Sequence, residues 1–381
     1  MFIRQLSHDI NTRAWIEKLN VEGGGRKILN EKMHSCLFYI QELHVGAANI
    51  LKQDALSIGA DLAVPKSTIV CKEPYVDCIL MGTRKHMQIL SRKELAQPFG
   101  LKELAKELQA FLKEPEKKAY QIMGVLNAND DSFYAQSRFS EKEAVSRLYT
   151  MVEEGADIID IGAVSSRPGA TQISEEEELE RLKPILDSIY THKLYEKVEL
   201  SLDSYAPLAI SYALERGFHI INDITGLQND EVCRLVGSYN AKAVIMHMQG
   251  RPENMQDKPS YENLFEEMEN FFTQRIEKAE SFNIKEIVLD VGIGFGKSLD
   301  DNLSLIHHLG HFKKLHKELL IGASRKSMID HISPSRPQER LPGTLAVHLK
   351  AYDNGATIIR THDVKEHLQA LKVHQAILNT L

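Results

Sequence analysis

Cysteine is scarce in this chain: its 381 residues hold four, Cys36, Cys71, Cys78 and Cys233. None form a CxxC pair, so neither a disulfide framework nor a zinc site is expected. Reduced, mostly buried thiols are expected, because free cysteine is among the most buried residue types. Long apolar runs are missing as well, and none nears the ~20 residues that a membrane span needs. The opening MFIRQLSHDINTRAWIEKL has no apolar core of the secretory kind, which makes the cytoplasm the expected location. Basic excess is also absent, with a formal charge of −7. Nucleic acids and anionic membranes select basic faces, so neither is expected as the main partner. A local basic pocket for a small anion stays compatible with that charge. Length then bounds the organisation: one large domain with a smaller one, or two ordinary domains.

What is present repeats. From about residue 119 onward, a short β-rich run is followed by a polar loop and then by a helical segment. The runs lie near 119–127, 157–162, 197–203, 219–224, 241–248, 286–292, 319–324 and 357–363. Most are near-continuous apolar runs, as parallel strands covered by helices require. Between them, 140–155 opens on Ser140 with Glu143 three residues on, a capping box, and ends at Gly155. The segment 174–190 opens on Ser174 with an acidic first turn, and Pro184 inside it predicts a kink or an early end. Eight β/α units predict a (β/α)8 TIM barrel, whose usual size is ~250 residues. A doubly wound open sheet is the alternative, which periodicity alone does not exclude. Residues 1–112 read differently, with helix-to-strand patterns at 44–64, strands in 75–90 and a helix from 101. They predict a small α+β domain ahead of a barrel over 113–381, serving as a packing or dimer-forming appendage.

Chemistry in barrels collects at the carboxyl ends of the strands. Here those ends carry Asn127, Asp203, Asn222 with Asp223, His247 with Gln249, Asp290, Ser324-Arg325-Lys326 and Arg360-Thr361-His362-Asp363. Singly, each has an ordinary explanation. Asp363 reads as the cap of the next helix, and His219 as structural. Together, Asp203, Asn222 and Asp290 would be costly in a barrel mouth without compensating partners. A ligand rich in N–H donors would supply them, and Lys326 or Arg360 would keep the carboxylates ionised. The stretch Gly292–Ser298 fails the Walker spacing, since Val291 stands where the first glycine belongs, and it lacks the GxGxxG order. It predicts a flexible loop that lets backbone approach a flat ligand.

These residues fall in motifs. Over about 119–381 the chain resembles dihydropteroate synthases, through MGVLNANDDSF, DIGAVSSRPGA, SLDS, INDI, MHMQGRP, DVGIGFGK, GASRKS, RLPGT and IRTHD, in that order. Any one is weak, but nine in order at strand ends are specific. The resemblance implies a TIM barrel that joins a pterin-methyl diphosphate to p-aminobenzoate. It implies a pterin held by Asp203, Asn222, Met246, Asp290 and Lys326. It gives the diphosphate to Asn127, Arg360, His362, Ser166 and Arg167, with Mg²⁺ on Asn127. It places p-aminobenzoate among Ser166, Arg167, Pro168, Phe295, Lys326 and Ser327. Asp131 would close over the site and act in catalysis with Lys326 and Asp203. It also implies a homodimer and sensitivity to sulfonamides, which mimic p-aminobenzoate.

The chain departs from the pattern in places. Asn129-Asp130 stand where the family usually has Thr-Pro, Val164 replaces a common Glu, Ser166 a Thr, and Val291 a Pro. Two rival readings follow from the same residues. A pterin-dependent methyltransferase would share the carboxylate site, yet it needs no Arg-x-His grip beside a Ser-Arg-Lys segment. A non-catalytic pterin-binding homologue would show lost catalytic positions, and only the altered first loop argues that way.

Overall fold

The computed structural model describes residues 1–8, 10–113, 119–127, 137–163, 173–250, 255 and 259–381. Asp131, Ser166, Arg167 and Pro168 lie outside them. The chain divides into two compact units, Met1–Pro115 with Gln375–Leu381, and Glu116–His374.

In the first unit, β1 (Ser35–His44), β2 (Asp61–Ala63) and β3 (Tyr75–Thr83) form an antiparallel sheet in the order β1-β3-β2. Among the described residues it is accompanied by α1 (Thr12–Lys18), α2 (Gly23–Met33), α3 (Val45–Ile58), α4 (Arg84–Lys93) and α5 (Leu101–Leu112). The inward side chains of β3, Val76, Cys78 and Leu80, alternate with exposed ones and pack on Ala47, Leu51 and Leu90. That is the period-two pattern of a half-buried sheet.

The second unit is a closed barrel of eight parallel strands, ordered β10-β11-β4-β5-β6-β7-β8-β9. The strands are β4 (Gln121–Asn127), β5 (Ile158–Gly162), β6 (Glu199–Asp203), β7 (Ile220–Asp223), β8 (Lys242–Met246), β9 (Ile287–Asp290), β10 (Glu318–Ile321) and β11 (Ile358–Thr361). Around them lie α6 (Ser137–Glu154), α7 (Glu175–Thr191), α8 (Pro207–Leu214), α9 (Asp230–Ser238), α10 (Leu264–Ser281), α11 (Leu299–His307), α12 (Ser327–Ile332), α13 (Leu341–Asp353) and α14 (Val364–Leu378). Closure removes the open-sheet alternative.

Two helices differ in detail from their sequence patterns. Helix α6 begins at Ser137, so Ser140 sits inside its first turn rather than ahead of it. Helix α7 runs through Pro184 to Thr191, because buried Leu182, Ile185, Leu186 and Ile189 flank the one missing amide. Ser174 caps α7, accepting from the Glu177 amide at 3.2 Å. Gly155 ends α6 at φ +95°, where a Cβ would meet Leu368 at 2.6 Å. Of the cysteines, Cys78 and Cys233 are buried, but Cys71 is exposed, and all four are free thiols.

Inside the barrel a floor of Met123, Ile158, Ile220, Val244, Val288, Leu320 and Ile358 packs into one apolar cluster. Strand side chains alternate, so the residue two positions on faces the same lumen. That step leads to Val125, Asp160, Asn222, Met246, Asp290, Gly322 and Arg360. A hydrocarbon plug thus lies beneath a layer in which four of these seven residues are polar.

Candidate active site

The polar layer is joined by hydrogen bonds. Asp160 is fully buried, and its carboxylate accepts from Ser201 Oγ at 2.6 Å, Asn222 Nδ2 at 3.1 Å and Arg360 Nε at 2.7 Å. Arg360 Nη2 reaches onward to Asp203 Oδ2 at 2.7 Å. Register explains the meeting: Asp160 pairs with Ser201, and Asp203 with Asn222, on adjoining strands. Asp290 pairs with Met246, and its carboxylate accepts from the Gly292 amide at 2.8 Å.

Three carboxylates therefore face Arg360 and Lys326 within one lumen. Burial raises Asp203 to about 7, and the neighbouring Asp160 charge adds to that, while Arg360 opposes it. Burial also raises Asp290, against the Gly292 amide and the nearby cations. The carboxylates in turn hold Arg360 firmly protonated despite its burial. A ligand presenting several N–H donors would relieve this crowding of acceptors.

Beside the carboxylates lies an apolar wall. Met246, Ile224, Met255 and Phe295 form one cluster. The Lys326 ammonium sits over the Phe295 ring, 4.2 Å from its centroid. Lys326 precedes α12, whose first residue, Ser327, is exposed. Asn127 ends β4 and is half-buried.

The strand ends of β10 and β11 make a second corner. Ser324 Oγ meets His362 Nδ1 at 2.9 Å, and the His362 amide donates to the same hydroxyl at 3.3 Å. Burial and the Arg360 charge lower His362 to about 4, so the ring is neutral. The Asp363 carboxylate, expected to cap a helix, takes Nε and Nη2 of Arg325 in a fork. Arg325 holds a positive φ of +56°, a conformation few non-glycine residues adopt.

One expected site residue does more than expected, and three other polar residues at the strand ends have structural partners. Arg360, given to the diphosphate by resemblance, has Nε and Nη2 engaged by Asp160 and Asp203. His247 turns away from the lumen: its Nδ1 lies 3.0 Å from Lys297 Nζ, and its ring packs on Phe271 and Phe272. Asp223 binds the Thr225 and Leu227 amides at 2.7 and 3.1 Å, a turn-forming role. Gln249 pins Ser260 through both ends of its amide, at 2.8 and 3.1 Å.

The glycine-rich stretch is a close packing of backbone on backbone, where a flexible loop was predicted. Cβ atoms at Gly292 and Gly296 would fall 2.1 and 2.3 Å from the His247 and Gln249 carbonyl oxygens. Lys297 is buried within this joint, and its ammonium bonds the His247, Gly292 and Phe295 carbonyls at 3.1, 3.1 and 3.0 Å. Burial lowers it to about 7.

Asp160 was the residue missed. It sits in DIIDIG, where it reads as an interruption of an apolar run. Its parity with Ile158 is the signal that would have placed it in the lumen.

Fold and site define a (β/α)8 enzyme class with a carboxylate-rich lumen and a cationic rim at the carboxyl ends of the strands. The family model for pterin binding enzymes matches residues 123–362. A dihydropteroate synthase of Escherichia coli is 40% identical over 261 residues, 68% of this chain and 92% of that protein. A Helicobacter pylori protein named as a bifunctional dihydropteroate synthase/dihydropteroate reductase is 42% identical over 384 residues, all of both chains. Among solved structures, the Yersinia pestis dihydropteroate synthase with a sulfonamide drug complex is 36% identical with a TM-score of 0.64, covering 69% of this chain and 96% of that one. The Thermus thermophilus enzyme in complex with 4-aminobenzoate is 34% identical with a TM-score of 0.62, covering 69% and 96%. The chain belongs to the dihydropteroate synthases of the pterin binding enzyme family.

Proposed function

We propose that this protein condenses 6-hydroxymethyl-7,8-dihydropterin diphosphate with p-aminobenzoate, giving 7,8-dihydropteroate and diphosphate. The observation that carries the reading is the lumen layer, where Asp203, Asn222 and Asp290 offer acceptors from three strands above an apolar floor. Pterin N–H donors would satisfy them, with the ring face against Met246. Lys326 would donate to the pterin carbonyl side.

The reaction breaks the C–O bond between the pterin methylene and the diphosphate, and the electron pair leaves with the diphosphate. The electron-rich pterin shares the positive charge left on carbon. The aromatic amine attacks that carbon and then loses its proton. Its ring would rest on Phe295 and the stem of Lys326, with its carboxylate toward Ser327. Asp131, Ser166, Arg167 and Pro168 belong to the loops expected to exclude water.

The diphosphate would meet His362 and Asn127 at the rim, with Arg360 available once the pterin relieves its carboxylates. Asn127 offers one hard oxygen donor. That suits Mg²⁺ carried by substrate phosphate oxygens and its own waters better than a caged site. Such an ion would offset charge building on the leaving group. No group of three or more His, Cys, Asp or Glu side chains suited to a metal occurs among the described residues. None of the described helices is long and apolar enough to cross a membrane. A cytoplasmic homodimer is the setting the resemblance suggests, and gel filtration of the purified chain tests the dimer.

Purified protein given the pterin diphosphate, p-aminobenzoate and Mg²⁺ should release diphosphate and form dihydropteroate, with sulfonamides competing against p-aminobenzoate. No product under those conditions rejects the reading.

One observation supports a second activity. The Escherichia coli synthase matches 68% of this chain, whereas the bifunctional relative aligns with all of it. Its name includes a dihydropteroate reductase. We read residues 1–115 as needed for that second step, in which a hydride donor such as a reduced nicotinamide or flavin, with a proton, saturates the remaining ring imine. Dihydropteroate should be consumed by the full chain with such a donor, and persistence of both would reject this.

A further inference from the structure

Two buried histidines lie behind the rim, outside every role assigned above. His348 on α13 and His367 on α14 are each 1% exposed. They join end to end. The Ala323 amide donates to His348 Nε2 at 3.0 Å. His348 Nδ1 meets His367 Nε2 at 2.8 Å. His367 Nδ1 meets the Asp363 carbonyl at 2.6 Å, with Thr361 Oγ1 3.2 Å away.

The ends of this chain fix every hydrogen in it. A backbone amide can only donate, so His348 Nε2 is bare and its hydrogen sits on Nδ1. That hydrogen points at His367 Nε2, which must therefore be bare too. The second ring then carries its hydrogen on Nδ1, facing a carbonyl that can only accept. An added proton has no acceptor: it would set N–H against N–H at Ala323 or between the rings.

The two ends of the relay are the two strand ends of the rim. Ala323 precedes Ser324, Arg325 and Lys326. Asp363 follows His362. Across the same gap run the Ser324–His362 hydrogen bond and the Arg325–Asp363 fork.

We propose that His348 and His367 are positioning residues, a neutral one-way relay that sets the spacing between the Ser324–Lys326 segment and the His362–Asp363 turn, and so shapes the anion-binding rim. The assignment of that rim to a diphosphate rests on the function proposed above.

The surroundings agree with neutrality. Burial is the leading cause that lowers both rings, and His362 and His367 lower His348 further. The Asp363 carbonyl, Asp363 and Glu366 raise His367, and Arg325 is occupied by Asp363. The sign follows from these depressed values. Both rings take up protons more readily unfolded than folded, so the relay's stability is present above the ordinary histidine value of about 6.5. It is lost as the pH falls below that.

The test uses the full chain with His348→Phe, which keeps the shape and removes both bonds, and His348→Gln, whose amide can accept from Ala323 and donate to His367. The Phe variant should weaken inorganic diphosphate binding about tenfold and raise KM for the pterin diphosphate alike, since a displacement near 1 Å is costly at such sites. KM for p-aminobenzoate should move less than about twofold, and the Gln variant should recover most of the loss. A folded Phe variant with unchanged diphosphate affinity and KM overturns the proposal. If the Phe variant does not fold, nitrogen NMR of the unaltered chain decides. Both rings should be neutral with hydrogen on Nδ1 near pH 7, and a cationic ring or an Nε2 hydrogen overturns the relay. Absence of turnover in the unaltered chain would reject the synthase reading, leaving diphosphate affinity and the ring hydrogens to judge the relay.

Discussion

The two units bury carboxylates in opposite ways. In the barrel, Asp160 is fully enclosed yet collects three donors, two of them neutral and one a guanidinium. In the first unit, Glu94 is equally enclosed, and neither of its oxygens has a donor, nor does Asp54 Oδ2. Asp54 is held by Lys93 at 2.8 Å on its other oxygen. Burial first, then the Asp54 charge, lifts Glu94 to about 7. The contrast teaches what each enclosure is for. The barrel surrounds Asp160 with fixed donors, which pre-organises a polar surface for a ligand. The first unit gives Glu94 no such donors, so burial favours its protonated form.

Arg360→Ala attacks the barrel side hardest. It leaves Asp160 and Asp203 without the guanidinium that bonds both, which should cost about 3–5 kcal/mol of stability. Turnover should fall at least about a thousandfold, with pterin-diphosphate binding hit far more than p-aminobenzoate binding. Thermal unfolding and steady-state kinetics read the two effects, and equal loss for both substrates would count against the lumen assignment.

Asp203→Asn is gentler. The amide still reaches Arg360 through its oxygen, but its NH2 replaces an acceptor with a donor. Pterin affinity measured by calorimetry should fall about 10- to 100-fold, the usual loss when a buried polar partner is mismatched. Unchanged affinity would place the pterin elsewhere.

Glu94→Gln sharpens the other half. The folded value of Glu94 is raised, so its contribution is fully present below the unfolded carboxylate value and fades as the pH rises through about 7. The stability of the first unit should fall by on the order of 2 kcal/mol from about pH 5 to 8, and the Gln variant should abolish that slope. Hydrogen exchange across α3 and α4 measures it. A slope that survives the substitution means the carboxyl was charged throughout.

The barrel was legible because parallel strands buried on both faces must be apolar runs. All eight runs overlap strands, though several overshoot their carboxyl ends, where apolar residues such as Val291 continue into packed loops. The polar lumen layer was legible where polarity and parity agree, as at Asn222 and Asp290. Polarity alone misleads where they disagree. His247 and Asp223 each follow a lumen residue by one position, so the pleat sends them outward. The loop glycines were misjudged for another reason: residues far apart in sequence, 249 against 296, decide whether a glycine means freedom or contact. The fork between Arg325 and Asp363 and the paired histidines have the same cause, since nothing local in either helix announces its partner.

Gly322 has a consequence of its own. It holds the lumen position of β10, yet its φ is ordinary and a Cβ would meet Arg360 and Asp290 only at comfortable distances of 3.8 and 3.9 Å. Neither backbone geometry nor crowding asks for glycine there. A methyl group there would rest against the Arg360 stem and the Asp290 carboxylate, so alanine would add apolar bulk to the lumen layer with no backbone penalty.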